Sequence, residues 1–194
     1  MALLLEAAAA WAKLLDTSYQ FTYGKKRTLF EIALSFSADQ FYHLSGFQYI
    51  NDIDFQIPIR KETFFCKLLS SEIDVTSVEA SAVWPDIEGR MKALVRLEDI
   101  LDSDFSLFRF NPKVLRFHSD IPANFLIKND ATGDVVFLFV DGPLHESFCR
   151  SIFTQSNCNY AENQSRLSLL KKVKVNSAEM TVFFDKLKAA PAKI

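Results

Sequence analysis

His43 is one of three histidines in the chain, and it stands in the aromatic stretch FYHLSGF, residues 41–47. An imidazole exchanges protons near neutral pH, so such a residue can serve as a general base or acid. It can equally be a structural histidine, packed beside Phe47 and hydrogen-bonded to Asp39. Both readings are open from the residues alone. A second group lies in FCRSIF, residues 148–153. Strand alternation would put Phe148, Arg150 and Ile152 on one face, and Cys149, Ser151 and Phe153 on the other. A guanidinium flanked by apolar residues requires a carboxylate or a phosphate. Arg150 and Ser151 could line one site only if the strand bulges or ends there. A third group is NYAENQSRLSLL, where Tyr160, Gln164, Arg166 and Ser168 lead into the basic run Lys171, Lys172 and Lys174. Lys25, Lys26 and Arg27 form another basic turn. Such runs suit a phosphate backbone, although solvated charged faces are commoner.

No phosphate-binding loop, dinucleotide fingerprint, nucleophile elbow, EF-hand or zinc-protease motif occurs. The three cysteines, Cys66, Cys149 and Cys158, form no C-x-x-C pair and suggest neither a disulfide framework nor a metal site. His145 and Cys149 are four apart, but the residues around them read as a strand, which separates them. No metal and no cofactor is expected.

The 194 residues are 49% hydrophobic and 24% charged, enough to bury a real core. Nineteen Phe against five Gly points to aromatic packing between a sheet and helices rather than to disorder. The opening MALLLEAAAAW lacks a basic segment before its apolar run, and Glu6 interrupts it. It reads as an amphipathic helix, with an intracellular, cytoplasmic protein as the expectation and no membrane partner. The net charge of −2 is unevenly placed: residues 1–105 carry −6 and residues 106–194 carry +4. The basic half can attract a polyanion.

The elements that must position these groups follow from periodicity. Residues 3–16 have helical spacing, and YQFTYGKKRTLFEIALSF reads as a hairpin turning at Gly24–Arg27. SADQ matches a capping box, with Ser37 as N-cap of a helix from about Ala38 to Phe47. Residues 50–104 read as an acidic, mainly helical insert, with RKETFFCKLLSSE as one helix and PDIEGRMKALVRLEDILDS as another. This insert shows no catalytic constellation and reads as scaffold or as a specificity insert. Thereafter the period falls to two. FSLFRF, VLRFH, NFLIK, VVFLFV, SFCRSIF and RLSLLKKVKV read as strands, and AEMTVFFDKL as a closing strand or a short helix, its β-branched and aromatic residues favouring the strand. The expected fold class is α+β: an N-terminal helix and a helical insert packed on a twisted antiparallel sheet, as one domain over 1–194.

The ordered set of F-x-H-L-x-G, F-C-R-S-x-F and the ending NYAENQSRLSLLKKVKVN resembles the phage-associated barnase–EndoU–colicin–RelE-like nucleases, fourth type. The middle segment LEDILDSDFSLFRFNPKV is also similar, so the resemblance covers nearly the whole chain. The turn GKKRTL is less glycine-rich than that pattern, and the final residues match it less well. The resemblance implies a barnase-like fold and metal-independent ribonuclease activity in a protein of bacterial phages or other mobile elements, acting as a toxin or effector. RNA is the implied partner, with a host protein or an immunity protein as a further one. The alternative is a catalytically inactive RNA- or protein-binding effector on the same fold. RNA carries its own nucleophile, the 2′-hydroxyl. His43 would move the proton, Arg150 would neutralise the phosphorane, and Ser151, Tyr160 and Gln164 would orient phosphate or base. Lys25, Lys26, Arg27, Arg116, Arg166 and Lys172 are the expected substrate-binding cations.

Overall fold

The computed structural model describes residues 2–25, 28–54, 60–131, 133–155 and 158–188. Helix α1 (Leu3–Leu14) buries Leu4, Ala7, Ala8, Trp11 and Leu14, one stripe of its surface. Strands β1 (Thr17–Lys25) and β2 (Thr28–Ser35) form the expected antiparallel hairpin. Short helix α2 (Gln40–Leu44) follows. The insert holds α3 (Lys61–Leu69), α4 (Val75–Glu79), α5 (Trp84–Val95) and α6 (Leu97–Asp102). Six strands complete the chain: β3 (Ser106–Arg109), β4 (Phe125–Asn129), β5 (Val136–Asp141), β6 (Ser147–Thr154), β7 (Ser165–Asn176) and β8 (Met180–Asp185). No helix among the described residues is long and apolar enough to cross a membrane.

The α+β class holds, but the sheet is not an open twisted one. Its order is β1-β2-β6-β5-β4-β3-β7, and β7 returns to pair with β1, so seven strands close into a barrel with β8 attached to β7. The twelve-residue β7 makes the closure: Ser165–Leu167 pair with β3, and Ser168–Asn176 pair with β1. The β1–β7 pairing shifts register between Thr22 and Tyr23, a bulge of the kind that adds local twist. Nor is the sheet wholly antiparallel. β2 meets β6 in parallel through Leu34↔Ser147 and Ser35↔Phe148. Alternation within a strand fixes its faces but not its partners, which is why closure was not readable.

Barrel residues such as Phe21, Leu34, Leu138 and Ile152 join Trp11, Phe41, Phe64 and Met91 of the helices in one core. A second, smaller core lies on the opposite face of β4 and β5. There Leu126, Phe137 and Phe139 pack with Phe110, and Leu115, Ile121 and Tyr160 lie against them. Burial on both faces explains why β4 and β5 are nearly continuous apolar runs.

Three further expectations change. VLRFH is not a strand: a 3-10 turn over Pro112–Val114, capped by the Asn111 side chain, takes its first residue, and Leu115 packs into the smaller core. The long helix predicted through residues 85–103 breaks at Arg96, which ends α5 and begins α6, so that both stripes reach the core. The helix carrying His43 is shorter than predicted, and no side chain caps it. Ser37 Oγ instead donates to Asp39 Oδ1 at 2.5 Å. Gly46 then turns the chain at φ +75°, a conformation that favours glycine, and a Cβ there would lie 2.8 Å from Ile87 Cγ2.

Candidate functional site

Strand β6 contains the bulge that the alternation argument required. Across the β5–β6 pairing, Phe139 faces Ser151 while Val140 faces Cys149, which leaves Arg150 as the extra residue. Cys149 and Ile152 both belong to the main core. Arg150 and Ser151 both line a pocket of about 620 Å³. Its other walls come from α2 with the turn after it, from Lys61 and Arg90 of the insert, and from residues 120–122.

Asp141 meets Arg150 Nη2 at 2.8 Å, and its other oxygen accepts from Asn124 Nδ2 at 3.0 Å. The guanidinium of Arg150 also stands 4.8 Å from the Phe148 ring. This chain of contacts fixes the cation while leaving it at the pocket wall.

Arg90 was not anticipated. It reaches from α5 to lie 4.2 Å over the ring of Phe153 and 5.5 Å from that of Tyr49. Its Nη1 donates to Ser151 Oγ at 3.4 Å. Burial pushes its pKa down, but a guanidinium starts so high that it stays charged. The readable signal was Gly89, a glycine inside a helix, which often marks a close approach. A Cβ at Gly89 would lie 2.8 Å from Thr154 Oγ1. The missing side chain lets α5 come close to β6 beside Arg90.

His43 is exposed at the pocket wall, its ring edge-on to Tyr42 at 5.5 Å. Its pKa is lowered, first by burial and then by the charges of Lys61 and Arg150, with Asp39 opposing. These causes favour the neutral imidazole, the form that can accept a proton. Asp39 receives the Ser37 hydroxyl and lies 3.9 Å from Lys61 Nζ, and it acts on His43 through its charge.

The fold thus brings together His43, Arg150 and Ser151, and adds Arg90 and Lys61. The remaining expected residues lie elsewhere. Tyr160 packs in the smaller core, stacked on Phe153 at 5.8 Å and edge-on to Phe117, Phe137 and Phe139, where burial raises its pKa. Gln164 clamps the backbone of Asn111, accepting from its N–H at 2.8 Å and donating to its C=O at 3.1 Å. Arg116 pairs with Glu162 at 3.1 Å in solvent. Arg166 is exposed and lines a second depression beside β7. Lys172 is fully buried and donates to the carbonyls of Leu101, Asp102 and Ser103 at 2.7–3.0 Å, at the end of α6. Lys25 ends β1, and Lys26 and Arg27 lie outside the described residues. Among the described residues, no group of three His, Cys, Asp or Glu side chains could hold a metal ion. His145 is exposed and Cys149 buried, on either side of the start of β6.

In chemical terms the pocket offers an imidazole, two guanidiniums and Lys61, with the carboxylates of Asp39 and Asp120 at its rim. Guanidiniums can take non-bridging oxygens of a phosphodiester in bidentate fashion, and they are strongest where partly desolvated. An unprotonated imidazole can take the proton of an attacking hydroxyl.

Comparison with curated proteins and with solved structures finds no match. A family model described as phage-Barnase-EndoU-ColicinE5/D-RelE like nuclease4 matches residues 3–189. The match runs through every helix and strand described above, and the chain belongs to that family of nuclease-like proteins.

Proposed function

We propose that the chain is an endoribonuclease that cleaves RNA by attack of the 2′-hydroxyl on the adjacent phosphodiester, without a metal ion. The observation that carries this reading is the bulge at Arg150, which turns Arg150 and Ser151 to the same pocket as His43 and Arg90. His43 accepts the 2′-hydroxyl proton. Arg150 and Arg90 balance the charge that builds on the non-bridging oxygens, the work a metal would otherwise do. Ser151, held by Arg90, donates its hydroxyl hydrogen to a phosphate oxygen. The P–O5′ bond breaks, the leaving 5′-oxygen takes a proton from water to become the 5′-hydroxyl, and a 2′,3′-cyclic phosphate remains. Tyr160 supports the site from behind Phe153, and Gln164 fixes the loop at Asn111. Arg116 and Arg166 would guide the strand outside the pocket.

The test is incubation of the purified protein with mixed cellular RNA in EDTA, beside His43→Ala. Cleavage by the wild type and none by the variant is the expected result. RNA binding with no cleavage by the folded wild type would instead identify a binding effector on the same fold.

A further inference from the structure

Beside the cationic wall, the pocket has a second chemistry that phosphate does not use. Tyr49 lines it and is 50% exposed, with the Arg90 guanidinium 5.5 Å from its ring centroid. Gln40 and Gln48 line it too, and the side-chain carbonyl oxygen of each is enclosed by protein without a hydrogen-bond partner. A buried acceptor without a donor is costly, and a glutamine amide turns readily about its last torsion. Gln48 Nε2 also donates to the His43 carbonyl at 3.4 Å, a long bond that a turn of the amide gives up. Both oxygens gain from a ligand that brings N–H groups. The pocket volume of about 620 Å³ lies within the range of small-ligand sites.

We infer that this end of the pocket seats one nucleobase, stacked on Tyr49 and read along its edge by Gln40 and Gln48. The inference rests on the proposed reading that the pocket takes RNA. Two acceptors favour a base with an exocyclic amine, namely adenine, cytosine or guanine. Uracil offers a single ring N–H on its pairing edge, so it pairs only one of the two carbonyl oxygens. The other amide meets a uracil carbonyl by turning its N–H2 inward, which leaves its own oxygen unpaired. Stacking supplies affinity for every base, because each has a π face. The glutamines supply the preference.

The experiment measures binding of fluorescent 2′-O-methyl oligonucleotides by anisotropy, since the methyl group removes the nucleophile. Oligo(A), oligo(C) and oligo(U) are compared on the wild type, Tyr49→Ala, Tyr49→Phe and the double variant Gln40→Leu/Gln48→Leu. The wild type is expected to hold oligo(A) and oligo(C) more tightly than oligo(U). Tyr49→Ala should weaken all three by about tenfold, while Tyr49→Phe keeps the stacking and the affinity. The glutamine variant should bring oligo(A) and oligo(C) down to the oligo(U) level. Circular dichroism confirms that each variant is folded, and a half-exposed Tyr49 contributes little to the core.

Equal wild-type binding of the three, or full affinity in folded Tyr49→Ala, overturns the inference, as does failure to bind any of them. Parallel cleavage assays on unmodified RNA separate the two ideas. Base-dependent binding with no cleavage sinks the nuclease reading and leaves the subsite. Cleavage without base-dependent binding does the reverse.

Discussion

The hydrogen bond from Arg90 Nη1 to Ser151 Oγ, 3.4 Å long, joins the helical insert to the bulged strand of the barrel. It makes the insert part of the pocket wall, with Lys61 and Arg90 both lining it. Arg90 is held at three points, by Ser151, Phe153 and Tyr49, so it would meet a phosphate already oriented. Replacing Arg90 with leucine should lower kcat/KM on RNA about a hundredfold or more. The lost cation–π contact should cost about 1 kcal/mol of stability. Arg90→Lys should recover little activity, because an ammonium cannot lie flat between two rings and fork to an oxyanion. Steady-state kinetics and a thermal melt on the two variants check both statements.

Gly89 sets how closely α5 approaches β6. Gly89→Ala should lower the melting temperature, because the clash with Thr154 Oγ1 costs about 1–3 kcal/mol, against up to about 1 kcal/mol gained from helix propensity. Cleavage should fall further than stability does, since Arg90 moves with the helix. Thr154→Ala removes the obstructing hydroxyl. The double variant should regain both stability and activity, a coupling that a thermodynamic cycle reads directly.

The lowered pKa of His43 carries a sign. The folded protein holds this proton less tightly than the unfolded chain, so neutral His43 persists to lower pH than usual. Activity measured as kcat/KM should fall on the acid side with an apparent pKa below that of a free histidine. Lys61→Met removes one of the charges that lowers it, so the acid limb should move to higher pH. Asp39→Asn removes the opposing charge and should move the limb lower. Stability follows the same linkage: this group's contribution is intact above the unfolded pKa and declines as pH falls toward the folded one. A pH–rate profile of the three proteins reads the order, and an unmoved acid limb in Lys61→Met would take His43 out of the proton transfer.

Lys172 supplies a contrast. Its ammonium satisfies three backbone carbonyls at the end of α6 and faces the rings of Phe105 and Phe183 at 5.1 and 4.4 Å. Lys172→Met keeps the length but strands those carbonyls. A loss of about 1–3 kcal/mol or more is expected, the cost of unpaired buried acceptors. At temperatures where the variant is folded, KM for RNA should be unchanged. A raised KM with unchanged stability would return Lys172 to substrate binding.

How much of this was legible follows from what each signal depends on. The stripe of α1, the β1–β2 hairpin and strands β4–β7 are local periodicities, and they stand where the sequence put them. The helix at His43 was overextended because SADQ has the letters of a capping box, while Ser37 spends its hydroxyl on Asp39. Barrel closure depends on which strands β7 meets, a long-range choice that no local pattern encodes. For the site, His43, Arg150 and Ser151 were nameable from residue type. Their meeting hangs on one inserted residue in β6, and alternation alone would have parted Arg150 from Ser151. Arg90 was hidden in a helix read for its apolar stripe. Lys172 and Gln164 looked like phosphate and base ligands because side-chain chemistry is visible in sequence, whereas the backbone groups that engage them are not.

The central claim is transesterification by the RNA's own 2′-hydroxyl, and the ends of the products report it most directly. A defined oligoribonucleotide is incubated with the protein in EDTA, and the fragments are analysed by mass spectrometry. The account predicts 2′,3′-cyclic phosphate and 5′-hydroxyl ends, with no cleavage where a 2′-deoxy residue replaces the nucleotide before the cut. Fragments bearing 5′-phosphate and 3′-hydroxyl ends, or cleavage that continues past a 2′-deoxy substitution, would contradict it.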